Sequence, residues 1–167
     1  MRVQKILFVL SMREDTLVWN LLNSRLMQYL LDSNICVYLI RQSLPKSKSI
    51  LDKINAIGWD NCCISEYTMA ELYYGAFCSN DIDGNIHLIN SLTKDFQIIP
   101  ISSIHLEFAK QKALLRKRGW MIEDADIFIG STAIANNMVM VTENLNHMSR
   151  LEGIVIDNWC SHDELLN

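Results

Sequence analysis

Asp32, Glu71 and Asp126, with Ser33 beside the first and Asn144 further on, are the side chains here whose types could do chemistry as a set. Three carboxylates meeting within roughly 5 Å would repel pairwise by about 3 kcal/mol at an effective dielectric of 20. Such a cluster raises its own pKa values or takes up a counter-charge. A hard divalent cation answers that need. Magnesium suits it, because it keeps several waters while one or two carboxylates hold it beside a phosphate; manganese is the alternative. The chemistry to expect is that of a bound cation held beside a phosphate group.

Each residue also has a purely structural reading. Asp32-Ser33-Asn34 is what a helix N-cap prefers. Asp126, with Glu123 and Asp124, could complement the positive start of a helix. Glu71 could be a solvated helix glutamate, although Met69, Ala70, Leu72 and Tyr73 around it are apolar or aromatic. Asn144 could open a turn. No single position decides between the readings.

The elements that must position these residues follow from the apolar pattern. Tyr29–Leu31 reads as a strand with Asp32 at its end, followed by a helix from Ile35. Lys48–Ile57 reads as a helix closed by Gly58, and Cys62–Ile64 as the second strand. Ser65 and Thr68 can cap a helix running through Glu71 to about Cys78. A further helix is predicted over Gly84–Phe96 and a strand over Gln97–Pro100. A long helix is predicted from Ser102 or Ser103 to Arg118, stopped at Gly119, and another over Glu123–Asn137. Met138–Thr142 is predicted as strand, Asn146–Leu151 as a short helix and Ile154–Ile156 as the last strand. Strands that are continuous apolar runs alternating with helices predict a parallel sheet covered on both faces. In such sheets ligands sit outside the carboxyl ends of the strands. Asp32 and the Glu143-Asn144 pair fall on that edge.

With 167 residues and half of them apolar, the chain can bury a core and suits one domain. The net charge of −4 does not advertise a nucleic-acid binder. The basic residues are uneven, however, with Lys110, Lys112, Arg116, Lys117 and Arg118 close together. That run is either a solvated helix face or a local patch that steers phosphate. Five cysteines, odd in number and without a C-x-x-C pair, speak against a zinc site or a disulfide framework and fit a reducing cytoplasm. The apolar run Ile6–Leu10 is too short for a membrane span or a signal-peptide core. Residues 1–26 are expected to be an extension upstream of a start at Met27, with 27–160 the domain and 161–167 a tail. The competing reading of 1–26 is a helix carrying Leu17, Leu21 and Leu22.

Three segments, MQYLLDSNICVYLIR, ISEYTMAELYYGA and DADIFIGSTAIANNMVMVTENLNHMSRLEGIVIDNW, resemble the PIN-domain toxins of the VapC type, in order and at fitting separations. The resemblance spans residues 27–160. It implies a three-layer α/β/α, Rossmann-like fold with a central parallel sheet, and magnesium-dependent endoribonuclease activity in the cytoplasm. It also implies RNA as substrate, a VapB-type antitoxin as partner, and a homodimer or a heteromer with that antitoxin. Matched by position, Asp32 and Asp126 are the metal-binding aspartates, Glu71 is the acid of the A-E-L helix, and Ser33 and Asn144 orient ligands and phosphate. Asp124 fits the place of Asp126 less well. Ser33 stands for a commoner threonine, Gly130-Ser131 for an alanine pair and Met148 for phenylalanine. Asn144 supplies no charge, which does not favour a second strongly held ion. A phosphoacceptor receiver domain is disfavoured, since no aspartate follows CCIS and no lysine lies beyond Lys117. A catalytically silent PIN module that only binds RNA or a protein partner is the alternative.

Overall fold

The computed structural model describes residues 27–160. The expected extension at 1–26, the competing helix there and the tail at 161–167 lie outside the described residues. The order of elements is β1 (Tyr29–Leu31), α1 (Ser33–Ile40), α2 (Lys46–Ile57), β2 (Cys62–Ser65), α3 (Glu66–Phe77), α4 (Ile82–Thr93), β3 (Gln97–Ile99), α5 (His105–Arg118), α6 (Asp124–Ala135), β4 (Val139–Val141), α7 (Leu145–Met148) and β5 (Val155–Asp157). The strands form one parallel sheet in the order β3-β2-β1-β4-β5, with Leu31 opposite Ile64 on one side and Val141 on the other. This is the predicted α/β/α arrangement.

Neighbouring residues of each strand point to opposite faces, so a fully apolar strand feeds two cores. Leu31, Cys62, Ile64 and Val141 pack with Ile35, Ile50, Ile54 and Leu72 of α1, α2 and α3. Leu30, Cys63 and Met140 pack with Leu115, Ile127 and Ile129 of α5 and α6. The cysteines are all free, and Cys36, Cys62, Cys63 and Cys160 are buried as small apolar groups. No helix among the described residues is long and apolar enough to cross a membrane.

Element boundaries move from the sequence expectation where caps decide them. α1 starts at Ser33 because the Asp32 carboxylate accepts from the Ser33 N–H at 2.8 Å. α4 starts at Ile82 because Asp81 accepts from the Gly84 N–H at 3.0 Å. Neither Ser102 nor Ser103 starts α5: both lie in a 3-10 turn, and the helix begins one residue after Ile104 without a side-chain cap. α7 is only one turn, Leu145–Met148.

The side-chain oxygen of Ser131, buried within α6, has no hydrogen-bond partner among the described residues. Leaving a hydroxyl buried and unpaired costs roughly 1–3 kcal/mol. Ser131→Ala is therefore expected to stabilise the chain by about 1 kcal/mol, read as a higher denaturation midpoint with an unchanged slope.

Candidate active site

The strand order reverses direction between β1 and β4, since β2 and β3 extend the sheet on one side and β5 on the other. At such a switch point the connections leave in opposite directions and open a crevice at the carboxyl ends of the two central strands. Asp32 follows β1 and Thr142 follows β4, so these two residues flank the crevice. The Asp32 N–H donates to the Val141 carbonyl at 3.0 Å, which fixes the aspartate at the sheet edge.

Asp32 is only 4 % exposed. Its Oδ1 accepts from the Ser33 N–H at 2.8 Å; its Oδ2 accepts from Asn34 Nδ2 at 2.7 Å and from Thr142 Oγ1 at 2.6 Å. These bonds favour the ionised form, yet desolvation outweighs them. Burial, with the charges of Asp126 and Glu71 adding to it, pushes the carboxyl up to about 6. A buried acid whose three donors are all neutral is short of positive charge.

Glu71 lies on α3, in the second turn after the Ser65 cap, and accepts from Ser33 Oγ. Its pKa is also raised, by burial first and then by Asp126 and Glu123, against the Ser33 hydrogen bond. Asp126 sits in the first turn of α6. Its Oδ1 accepts from Asn144 Nδ2 at 3.2 Å, and its Oδ2 lies 2.7 Å from His147 Nδ1. All five residues singled out from sequence, Asp32, Ser33, Glu71, Asp126 and Asn144, thus join one hydrogen-bonded network. Asp124 points elsewhere, to Lys112 Nζ at 2.5 Å.

Two members were not visible in the sequence. Thr142 is fully buried; its hydroxyl donates to Asp32 and accepts from Asn34 Nδ2 at 3.2 Å and from the Asn144 N–H at 2.8 Å. It joins the Asp32 side of the site to the Asn144–Asp126 side. Thr142→Val keeps the shape and strands three partners, so it is expected to cost about 1–3 kcal/mol of stability, with Thr142→Ser restoring most of the loss in a denaturant melt. His147 is the second; its spacing of three residues from Asn144 on a one-turn helix is the signal that could have found it. Glu143, on the predicted edge, is drawn away from the acids. It pairs with Lys46 Nζ at 2.5 Å and accepts from Tyr38, and this pairing lowers its pKa.

The tight knot of three carboxylates expected from sequence is not what forms. Among the described residues, no three of the His, Cys, Asp and Glu side chains close into a ready ligand cage. Asp32 is turned to Thr142 and Asn34, while Asp126 is turned to Asn144 and His147. The chemistry of the donor set nonetheless fits a hard cation. The acids offer oxygen ligands, Asp32 and Glu71 have no Lys, Arg or His ion-pair partner among the described residues, and magnesium completes its octahedron with water. Asp32 and Asp126 would hold it, and the Asn34, Thr142, Asn144 and His147 contacts would orient those two carboxylates.

A family model described as PIN domain matches residues 29–153. Ribonuclease VapC2 of Haemophilus influenzae is 32% identical over 135 residues, covering 80% of this chain and 99% of that protein. The tRNA(fMet)-specific endonuclease VapC of Salmonella typhimurium is 28% identical over 138 residues, covering 81% of this chain and 100% of that one. Among solved structures, VapBC2 from Rickettsia felis bound to a DNA fragment from its promoter matches with a TM-score of 0.72 and 28% identity, over 80% of this chain and 99% of that one.

Proposed function

This chain belongs to the PIN-domain family, and from that membership we propose that it is a magnesium-dependent endoribonuclease, the toxin of a toxin–antitoxin pair acting in the cytoplasm. One observation supports the reading above the others. Asp32 is buried, shifted upward, close enough to Asp126 and Glu71 to feel their charges, and without a basic partner among the described residues. A fold does not keep a buried carboxylate short of counter-charge for stability, because removing such a group usually helps.

In the mechanism, Asp32 and Asp126 present the ligating oxygens, each held in one orientation by its hydrogen bonds. A magnesium ion held by them would supply positive charge for the developing phosphorane and would acidify the attacking water. Glu71, its pKa raised by burial, accepts the proton of the attacking water as the water oxygen bonds to phosphorus and the bridging P–O bond breaks, the departing oxygen taking a proton from solvent. Ser33 Oγ fixes the Glu71 carboxylate, and the Asn144 amide, which donates to Asp126, would orient the scissile phosphate.

The partner we propose is a VapB-type antitoxin that sets a basic side chain against the acids, since a guanidinium can take the place of a cation beside carboxylates. The reading is tested by incubating the purified chain with total RNA, with magnesium and with chelator, and mapping the cut ends. Discrete new ends that need magnesium are the expected result. Intact RNA in both conditions would return the chain to the silent-module alternative.

A further inference from the structure

The basic run of α5 is not spent evenly. Lys110 pairs with Glu107, Lys112 with Asp124 and Arg118 with Glu152. Arg116 and Lys117 are exposed and have no acidic partner among the described residues. The helix then stops in a six-residue turn. Gly119 takes the left-handed conformation at φ 71, its N–H donates to the Arg116 carbonyl at 3.2 Å, and the Trp120 N–H donates to the Leu115 carbonyl at 3.0 Å. In this motif the residue at the place of Trp120 ordinarily folds its apolar side chain back onto that of Leu115. Leu115 is buried, yet Trp120 is 53 % exposed. The turn holds a large indole out in solvent from a fixed backbone, with the Arg118 guanidinium 5.8 Å from its ring. Met121, the next residue, is exposed too.

The position of this indole relative to the acids is constrained from three directions. Trp120–Glu123 runs straight into α6, and four residues span at most about 14 Å. Lys112 ties α5 to Asp124 in the first turn of α6, and Arg150, just past α7, reaches the Met121 carbonyl at 3.5 Å. Glu123, the last residue of the segment, is near enough to Glu71 for its charge to act on that carboxyl. Trp120 therefore stands in the connection that leads into the helix carrying Asp126, and Arg116 and Lys117 lie in the last turn of α5 just before it.

We propose that Trp120 is a stacking platform for one base of single-stranded RNA whose strand crosses the acid pocket, with Arg116 and Lys117 meeting its phosphates. The inference rests on the nuclease reading above. An indole face takes any base, the guanidinium of Arg118 widens the platform, and a chain of net charge −4 needs a local cationic strip to bring a polyanion to its own carboxylates.

The test uses the full chain in chelator, so that no strand is cut, and fluorescein-labelled single-stranded homopolymer RNAs of about eight nucleotides, read by fluorescence anisotropy. Trp120→Leu is expected to weaken binding about tenfold, while Trp120→Phe, which keeps a π-face, stays within about threefold of the parent. Magnesium-dependent cleavage of total RNA by the parent is measured alongside. If the parent binds and cleaves but Trp120→Leu binds RNA equally well, the platform is refuted and the nuclease reading stands. If Trp120→Leu leaves RNA binding intact and instead changes the sedimentation of the chain, Trp120 belongs to a protein–protein face and the proposal is again refuted. A parent that neither binds nor cleaves removes the nuclease reading and this inference with it.

Discussion

Asp32→Asn and Asp126→Asn should each lower magnesium-dependent RNA cleavage by at least about a thousandfold, and expression of either variant should no longer arrest growth. The magnitude corresponds to ~4 kcal/mol of transition-state stabilisation, the scale expected when the charge offsetting a developing phosphorane is lost. Asparagine fits both places. At position 32 it remains a good N-cap for α1, and at position 126 it can still hydrogen-bond Asn144. The loss then reports the missing ionic ligand and not a broken fold. Glu71→Gln should cost less, about a hundredfold, because proton transfer contributes less than the cation site. Asp124→Asn is the control, since Asp124 faces Lys112 and should leave cleavage within a few fold of the parent. Turnover on one defined RNA substrate checks all four. Full activity in Asp32→Asn and Asp126→Asn would remove both from the mechanism.

The second large effect is on stability, and it runs opposite to the effect on activity. Burial pushes Asp32 from the ordinary 3.8 up to about 6, so folding favours its protonated form. The contribution of this group is fully present below about pH 4 and is lost as pH rises through about 6. A shift of roughly two units is on the order of 3 kcal/mol. Metal-free parent protein should therefore lose stability over that window, and Asp32→Asn, which does not ionise, should not. The difference in melting temperature between variant and parent should move in favour of the variant by several degrees from about pH 4 to about pH 8, in chelator. Adding magnesium should reverse the trend for the parent only, since a ligand that binds the folded state alone stabilises it. Parallel pH profiles for the two proteins would contradict the buried, undercompensated state of Asp32.

The sheet was legible because its strands are apolar on both faces: Leu30 and Leu31, Cys62 to Ile64, and Val139 to Val141 can only be sheet interior. The site was half legible. Asp32 at a strand end is a local signal, and so is Asp126 in a first turn, but either could have been a cap. Their convergence is a matter of strand order, which places β4 beside β1 and which no local pattern encodes. Thr142 carries no local signal because a buried threonine after a strand is ordinary until its partners Asp32 and Asn34, 110 and 108 positions away, are known. Glu143 looked like a site acid from its place on the edge. Lys46, 97 positions away, and Tyr38 draw it off instead. The basic run of α5 was ambiguous because ion pairing, which occupies Lys110, Lys112 and Arg118 and leaves Arg116 and Lys117, is set by helix packing.

Direct titration of metal-stripped protein with magnesium by calorimetry, for the parent and for Asp32→Asn, bears most immediately on the acid pocket. A saturable uptake of at least one ion by the parent, absent from Asp32→Asn while both proteins melt cooperatively, is the outcome predicted here. Equal uptake by the two, or none by the parent, would show that Asp32, Glu71 and Asp126 do not make a cation site.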